Sequence, residues 1–175
     1  MYGWAGRRLK VYLTEGKIVQ EETPEWLRRE YVGGRGFNSR TLFDEVKPGT
    51  DPLGPDNVFI VGVGPLAGTL APCGSSRWTV TAKAPLTNIF GDGNGGGHFA
   101  PELKFAGYDQ IIVYGRSPKP VYLWIKDDRV ELRDASHLWG KTTWETSDLL
   151  VDELSDREIR ELTIGPAGEN KVRYA

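Results

Sequence analysis

Asn57-Val58-Phe59-Ile60-Val61-Gly62-Val63-Gly64-Pro65-Leu66-Ala67-Gly68 reads as a strand delivered into a turn. The run Val58-Phe59-Ile60-Val61 is continuously apolar, the pattern of a strand buried on both faces. Gly64-Pro65 ends it, because proline has no N–H to offer a ladder. Upstream, Leu9 to Glu22 alternates and breaks at Glu15-Gly16, which predicts a hairpin of Lys10–Leu13 and Ile18–Glu22. Thr23-Pro24-Glu25 predicts a helix start, with Thr23 as N-cap and Pro24 in the first helical position. Leu27 and Tyr31 share a face of that helix, and Gly33-Gly34 stop it. A second helix is expected from about Gly36 to Val46, with Phe37, Leu42, Phe43 and Val46 inward. Downstream come a strand over Arg77–Ala84, a glycine loop Gly91-Asp92-Gly93-Asn94-Gly95-Gly96-Gly97, a short helix Phe99–Phe105 and a strand Gln110–Tyr114.

The order then begins again. Val121–Ile125 and Val130–Arg133 predict a second hairpin around Asp127-Asp128. Thr142-Thr143-Trp144-Glu145 has capping-box spacing and opens a helix burying Leu150, Val151 and Leu154. Leu162-Thr163-Ile164 reads as a short strand ending at Gly165-Pro166-Ala167-Gly168. Val11-Tyr12-Leu13 recurs as Val121-Tyr122-Leu123, and Gly64-Pro65-Leu66-Ala67-Gly68 recurs one residue shorter at 165–168. The expected fold is therefore α+β. It is a hairpin–helix–strand duplication giving two similar β-sheet halves, with the second half truncated before its own glycine loop. Chance similarity of two hairpins is the competing account.

With 175 residues, 39% hydrophobic and 26% charged, the chain suffices for one domain with its own core. A net charge of −2, spread along the sequence, gives no footprint for nucleic acid or an anionic membrane. No apolar run is long enough to span a bilayer, and the first residues lack the apolar stretch of a signal peptide. A cytoplasmic protein is expected. The single cysteine, Cys73, excludes a disulfide framework or a cysteine-held cluster within this chain, and with no base in sequence reach it reads as a buried inert thiol.

The 22 glycines are the outlier in composition. Gly91, Gly93 and Gly96 match G-x-G-x-x-G ahead of a helix, an arrangement whose backbone N–H groups suit a phosphate. The pattern alone is weak. A dinucleotide fold wants a long strand directly before the first glycine, and Pro85 leaves only Leu86–Phe90. Gly62-Val63-Gly64-Pro65-Leu66-Ala67 fails differently, since Pro65 removes a needed N–H. Arg77 suits a forked contact to phosphate, against the alternative of a solvated surface arginine. Asn94 offers a side-chain oxygen to a hard cation such as magnesium, against the alternative of a left-handed turn asparagine. His98 and His137 have no partner at ligand spacing. Asp92 and Glu102 flank the loop without forming an acid/base pair.

Seven segments then occur in succession: Gly64-Pro65-Leu66-Ala67-Gly68-Thr69, Ser76-Arg77, Lys83-Ala84-Pro85-Leu86-Thr87, Asn94-Gly95-Gly96-Gly97, Glu102-Leu103-Lys104-Phe105-Ala106-Gly107-Tyr108-Asp109, Arg133-Asp134-Ala135-Ser136-His137 and Ile164-Gly165-Pro166-Ala167-Gly168-Glu169-Asn170. This succession resembles the N-terminal domain of the tungsten-containing aldehyde ferredoxin oxidoreductases along the whole chain. The resemblance implies that residues 1–175 are a tungstopterin-binding domain, incomplete at the C-terminus, with its two halves related by a pseudo-two-fold axis. It implies a tungsten bis-molybdopterin cofactor contacted by Arg77, Asn94 and Gly96, with Asn94 also serving a magnesium ion that bridges the pterin phosphates. No catalytic residue is expected in this chain, and the chain alone is expected to be inactive. The remaining domains of the same polypeptide would supply a second cofactor loop, the cysteines of a [4Fe-4S] cluster and the catalytic acid. The implied reaction oxidises an aldehyde with water to a carboxylate, with electrons passing to ferredoxin, and it is compatible with a homo-oligomer. Related members act on an aromatic thioester or a sugar phosphate, a choice made mainly by domains outside this chain. A dinucleotide-binding module and a silent partner subunit are the other classes; loss of Arg77 or Asn94 would have favoured the latter, and both are present.

Overall fold

The computed structural model describes residues 3–72 and 74–174, so the reading of Cys73 falls outside the described residues. Strands β1 (Arg7–Tyr12) and β2 (Lys17–Glu22) make the first hairpin. Helices α1 (Glu25–Glu30) and α2 (Arg35–Glu45) follow, then β3 (Phe59–Val63), β4 (Trp78–Lys83), β5 (Phe90–Gly95), α3 (Phe99–Phe105) and β6 (Gln110–Tyr114). These six strands form one mixed sheet in the order β2-β1-β6-β3-β4-β5. β1 and β6 run parallel and every other neighbouring pair is antiparallel. β6 returns to the middle of the sheet, where Gln110, Ile111 and Ile112 are buried.

Alternation along each strand sorts the side chains onto two faces. One face carries Leu9, Val11, Val61, Val63 and Ile111, and packs against Ala100, Leu103 and Tyr108 from α3 and its exit. A second hairpin, β7 (Val121–Lys126) with β8 (Arg129–Asp134), forms a separate two-stranded sheet. Its Leu123, Ile125, Val130 and Leu132 extend this core. The opposite face is covered by α2, whose Leu42 packs on Val58, Ile60 and Ile112. Helix α4 (Thr143–Leu154) lays Leu150 against Ala135 and Leu138.

Several local expectations change. The glycine loop is largely a strand, since residues 90–95 pair along β4 over their whole length. The glycines and the polar residues alternate there with period 2, so each class takes one face. Phe43 points outward, 79% exposed. The inward stripe of α2 is Phe37, Asn38, Thr41 and Leu42, so polar groups take sites that an apolar reading would have given to Phe43. Phe59, at the first position of β3, is half-exposed. Pro24 occupies the N-cap of α1, and Thr23 is buried with its hydroxyl donating to Asp109 at 3.4 Å. The capping box of α4 forms as expected from Thr142 and Glu145. Leu162-Thr163-Ile164 is not a strand, because no strand among the described residues pairs with it, and Pro166–Glu169 winds as the short helix α5.

Candidate functional site

The three residues singled out by sequence meet at one corner of the large sheet. Thr79 pairs with Asn94 and Trp78 with Gly95; one residue further along lie Arg77 on one chain segment and Gly96 on the other. The Trp78 indole N–H donates to the Gly96 carbonyl at 3.3 Å, closing the corner. Arg77 is exposed, and no carboxylate among the described residues pairs with it.

The glycines of this corner differ in their reasons. A Cβ on Gly91 would lie 2.7 Å from the Ala84 Cβ, and one on Gly95 would lie 2.1 Å from the Trp78 ring. Gly93 faces Val80. These three glycines share the face of Trp78, whose ring also meets Phe99 edge-on at 6.1 Å. Gly97 has φ of 100°, a conformation natural to glycine. Gly96 has neither reason: its φ is not in the left-handed region, and a Cβ there would meet nothing within 4 Å. What Gly96 keeps clear is the space outside the chain.

The other face of β5 carries Asp92 and Asn94. Asp92 accepts a salt bridge from Arg35 at 3.1 Å, tying the first turn of α2 to the edge strand. The Thr79 hydroxyl donates to Asn94 Oδ1 at 2.8 Å. Behind Thr79, Asn38 Nδ2 donates to the Thr79 carbonyl at 3.0 Å and to Thr81 Oγ1 at 3.2 Å. Gln110 Nε2 donates to Asn38 Oδ1 at 3.0 Å and to Thr41 Oγ1 at 3.3 Å. Gly62 makes room for this, since a Cβ there would sit 2.2 Å from Asn38 Oδ1. The registers place Glu21, Arg8, Gln110, Gly62, Thr79 and Asn94 in one row crossing all six strands.

Sequence reading missed Trp78, Thr79, Asn38 and Gln110. The available signal was Thr79-Val80-Thr81, whose alternation marks a polar face; that this face meets Asn38 instead of solvent needs the helix packed on it. His98 caps no helix with its side chain. His137 Nε2 lies 3.0 Å from Glu153 at the surface beside α4, remote in the chain from this corner.

Residues 8–175 match the family model of the aldehyde ferredoxin oxidoreductase N-terminal domain. The whole chain aligns with the tungsten-containing aldehyde ferredoxin oxidoreductases of Thermococcus kodakarensis, at 49% identity, and Pyrococcus furiosus, at 47%. It spans 29% of the length of each. The aliphatic sulfonate oxidoreductase WOR-like subunit of Pyrococcus furiosus aligns at 35% identity over the whole chain and 30% of its own length. Among solved structures, a chain of the active site complex BamBC of benzoyl coenzyme A reductase, in complex with 1,5-dienoyl-CoA, superposes with a TM-score of 0.96 at 44% identity. That match covers 99% of this chain and 26% of the other.

Proposed function

Because the chain belongs to the aldehyde ferredoxin oxidoreductase family, as its N-terminal domain, we propose that the Arg77–Asn94–Gly96 corner holds the phosphate end of a tungsten bis-molybdopterin cofactor. The observation carrying this reading is Gly96, a glycine that neither internal packing nor backbone strain requires, set between an exposed guanidinium and an amide. The donor set fits a phosphate: Arg77 gives charge and a fork of N–H groups, and Gly96 lets the anion approach the backbone. Asn94 gives an oxygen to magnesium; its Oδ1 has two lone pairs, one of which accepts from the Thr79 hydroxyl. When bound, the cofactor supplies the oxidation of an aldehyde with water to a carboxylic acid, and a [4Fe-4S] cluster held by the other domains conducts the electrons to ferredoxin. Residues 1–175 contribute the cradle; the activity belongs to the longer, cytoplasmic enzyme.

The repeat of a hairpin followed by a helix, β1–β2 then α1–α2 and β7–β8 then α4, supports a duplication about a pseudo-two-fold axis. In the longer protein, 162–164 would become the counterpart of β3. The resemblance to the BamBC chain favours a second reading, a tungsten subunit acting on an aromatic thioester; turnover of benzoyl-CoA and not of aldehydes by the full-length enzyme would select it.

The test is Arg77→Ala in the full-length protein. It removes a charge-assisted contact of about 1.5–3 kcal/mol, so tungsten content and aldehyde turnover should fall together while the melting temperature holds. Full metal occupancy with unchanged turnover would defeat the assignment.

A further inference from the structure

We propose that Trp78 is a positioning residue for the anion at this corner: its indole N–H holds the Gly96–Gly97 peptide with the carbonyl inward and the amide outward. This rests on the reading of the corner as the seat of a phosphate. A peptide unit between two glycines lacks the side chains that usually settle its direction. Gly97 has φ of 100°, and half a turn of the peptide would carry that angle into the negative region, which glycine occupies as readily. A Cβ on Gly96 or on Gly97 would meet nothing within 4 Å, so packing does not choose either. For an anion the two directions are not equal. One offers it an N–H, the other a carbonyl oxygen that repels it.

One hydrogen bond makes the choice. Trp78 Nε1 donates to the Gly96 carbonyl at 3.3 Å. An indole N–H can only donate and a carbonyl can only accept, so this contact has a single sense. In a planar trans peptide the N–H points opposite to the C=O. With the Gly96 oxygen drawn to the indole, the Gly97 N–H is sent the other way. Gly97 is exposed, and its N–H meets no acceptor among the described residues. The indole is itself fixed. It lies flush against Gly95, where a Cβ would be 2.1 Å from the ring, and Phe99 meets it edge-on. The Gly97 N–H therefore joins the Arg77 guanidinium as a donor from this corner, and Trp78 is what aims it.

The experiment uses the purified full-length enzyme with its cofactor, and follows the release of tungsten and the hydrogen exchange of the Gly97 amide. Trp78→Phe removes the N–H but also thins the packing on Gly95 and Phe99, so the cleaner change is benzothienylalanine at position 78. It keeps both rings and puts sulfur in place of the N–H. Tungsten release should become about three- to tenfold faster, the worth of one net hydrogen bond, and the Gly97 amide should lose protection. The melting temperature of the cofactor-free protein should not change. Azatryptophan at the same position keeps the N–H and should behave as wild type. Gly97→Ala disfavours the positive φ and turns the peptide by itself. It should speed release alone, and benzothienylalanine added to it should change little. The proposal is overturned if Arg77→Ala loses tungsten while the benzothienylalanine protein keeps it with Gly97 still protected, since Trp78 would then only pack. It is equally overturned if azatryptophan fails to hold the cofactor, or if the changes at 78 and 97 add in full. Should Arg77→Ala itself leave tungsten in place, the phosphate reading of the corner fails, and this proposal with it.

Discussion

Gly95 and Gly96 are neighbours with opposite reasons for being glycine, and a methyl group separates them. On Gly95 the added carbon would enter the Trp78 indole at 2.1 Å. The ring is held by Phe99 and by the Gly96 carbonyl, so it cannot simply swing away. Gly95→Ala should therefore destabilise the full-length protein by about 1–3 kcal/mol, the usual cost of overpacking, seen as a lower denaturation midpoint. Gly96→Ala meets open space and should change stability by less than about 0.5 kcal/mol, while tungsten content falls. Equal melting of the two variants would contradict the packing argument; full tungsten in Gly96→Ala would contradict the site. Sequence pattern brought Arg77, Asn94 and Gly96 forward, but could not separate these two glycines. The distinction depends on which face of β5 meets Trp78, and that is set by the pairing with β4.

At the scale of elements, legibility followed whether the signal was local. The capping box at Thr142 is wholly local and forms as read: Thr142 Oγ1 accepts from the Glu145 N–H at 3.3 Å, and the Glu145 carboxylate accepts from the Thr142 N–H at 2.8 Å. The glycine strand was misread because five glycines suggest a costly, flexible backbone; only β4 alongside makes it a strand. Leu162–Ile164 failed in the reverse sense, having strand composition but no strand to pair with among the described residues. For α4, Thr142→Ala should cost about 1 kcal/mol in thermal or denaturant unfolding. The cap also makes a pH prediction. The Thr142 backbone N–H, and then its hydroxyl, hold the Glu145 carboxyl below its ordinary value. A lowered folded pKa means that the contribution is fully present above the unfolded value and is lost as pH falls through the folded one. Glu145→Gln should thus flatten the acid limb of the stability profile relative to wild type, and coincident limbs would refute the cap's role.

For the molecule as a whole, the sheet and its outer layers are fastened at Asp109, which lies between α3 and β6 and is fully buried. Its carboxylate accepts from the Ala5 N–H at 2.9 Å and the Gly6 N–H at 2.7 Å, and from the Thr23 hydroxyl. Lys104, itself only 10% exposed, forms the ion pair. One side chain thus joins the N-terminal segment, the entry to α1, the last turn of α3 and the central strand, across as many as 104 positions of sequence. The N-terminal segment in turn leans on the Gly64-Pro65 turn, with Gly3 so close to Pro65 that a Cβ would lie 2.8 Å away. That turn follows Val63, the register partner of Trp78, so the fastening reaches the Arg77–Asn94–Gly96 corner through two contacts. Asp109→Ala leaves a nearly buried ammonium unpaired and two backbone donors without an acceptor. Breaking one partner of such a pair costs about 3–5 kcal/mol, a large share of the roughly 5–15 kcal/mol that holds a domain together. The denaturation midpoint of the full-length protein should drop accordingly, and amide exchange at Ala5 and Gly6 should accelerate ahead of the sheet. Asp109→Asn retains one oxygen for the backbone donors but not the charge for Lys104, and should fall between. If Asp109→Ala unfolds at the wild-type midpoint with Ala5 and Gly6 still protected, the N-terminal segment is held by its contacts with Pro65 and not by this carboxylate.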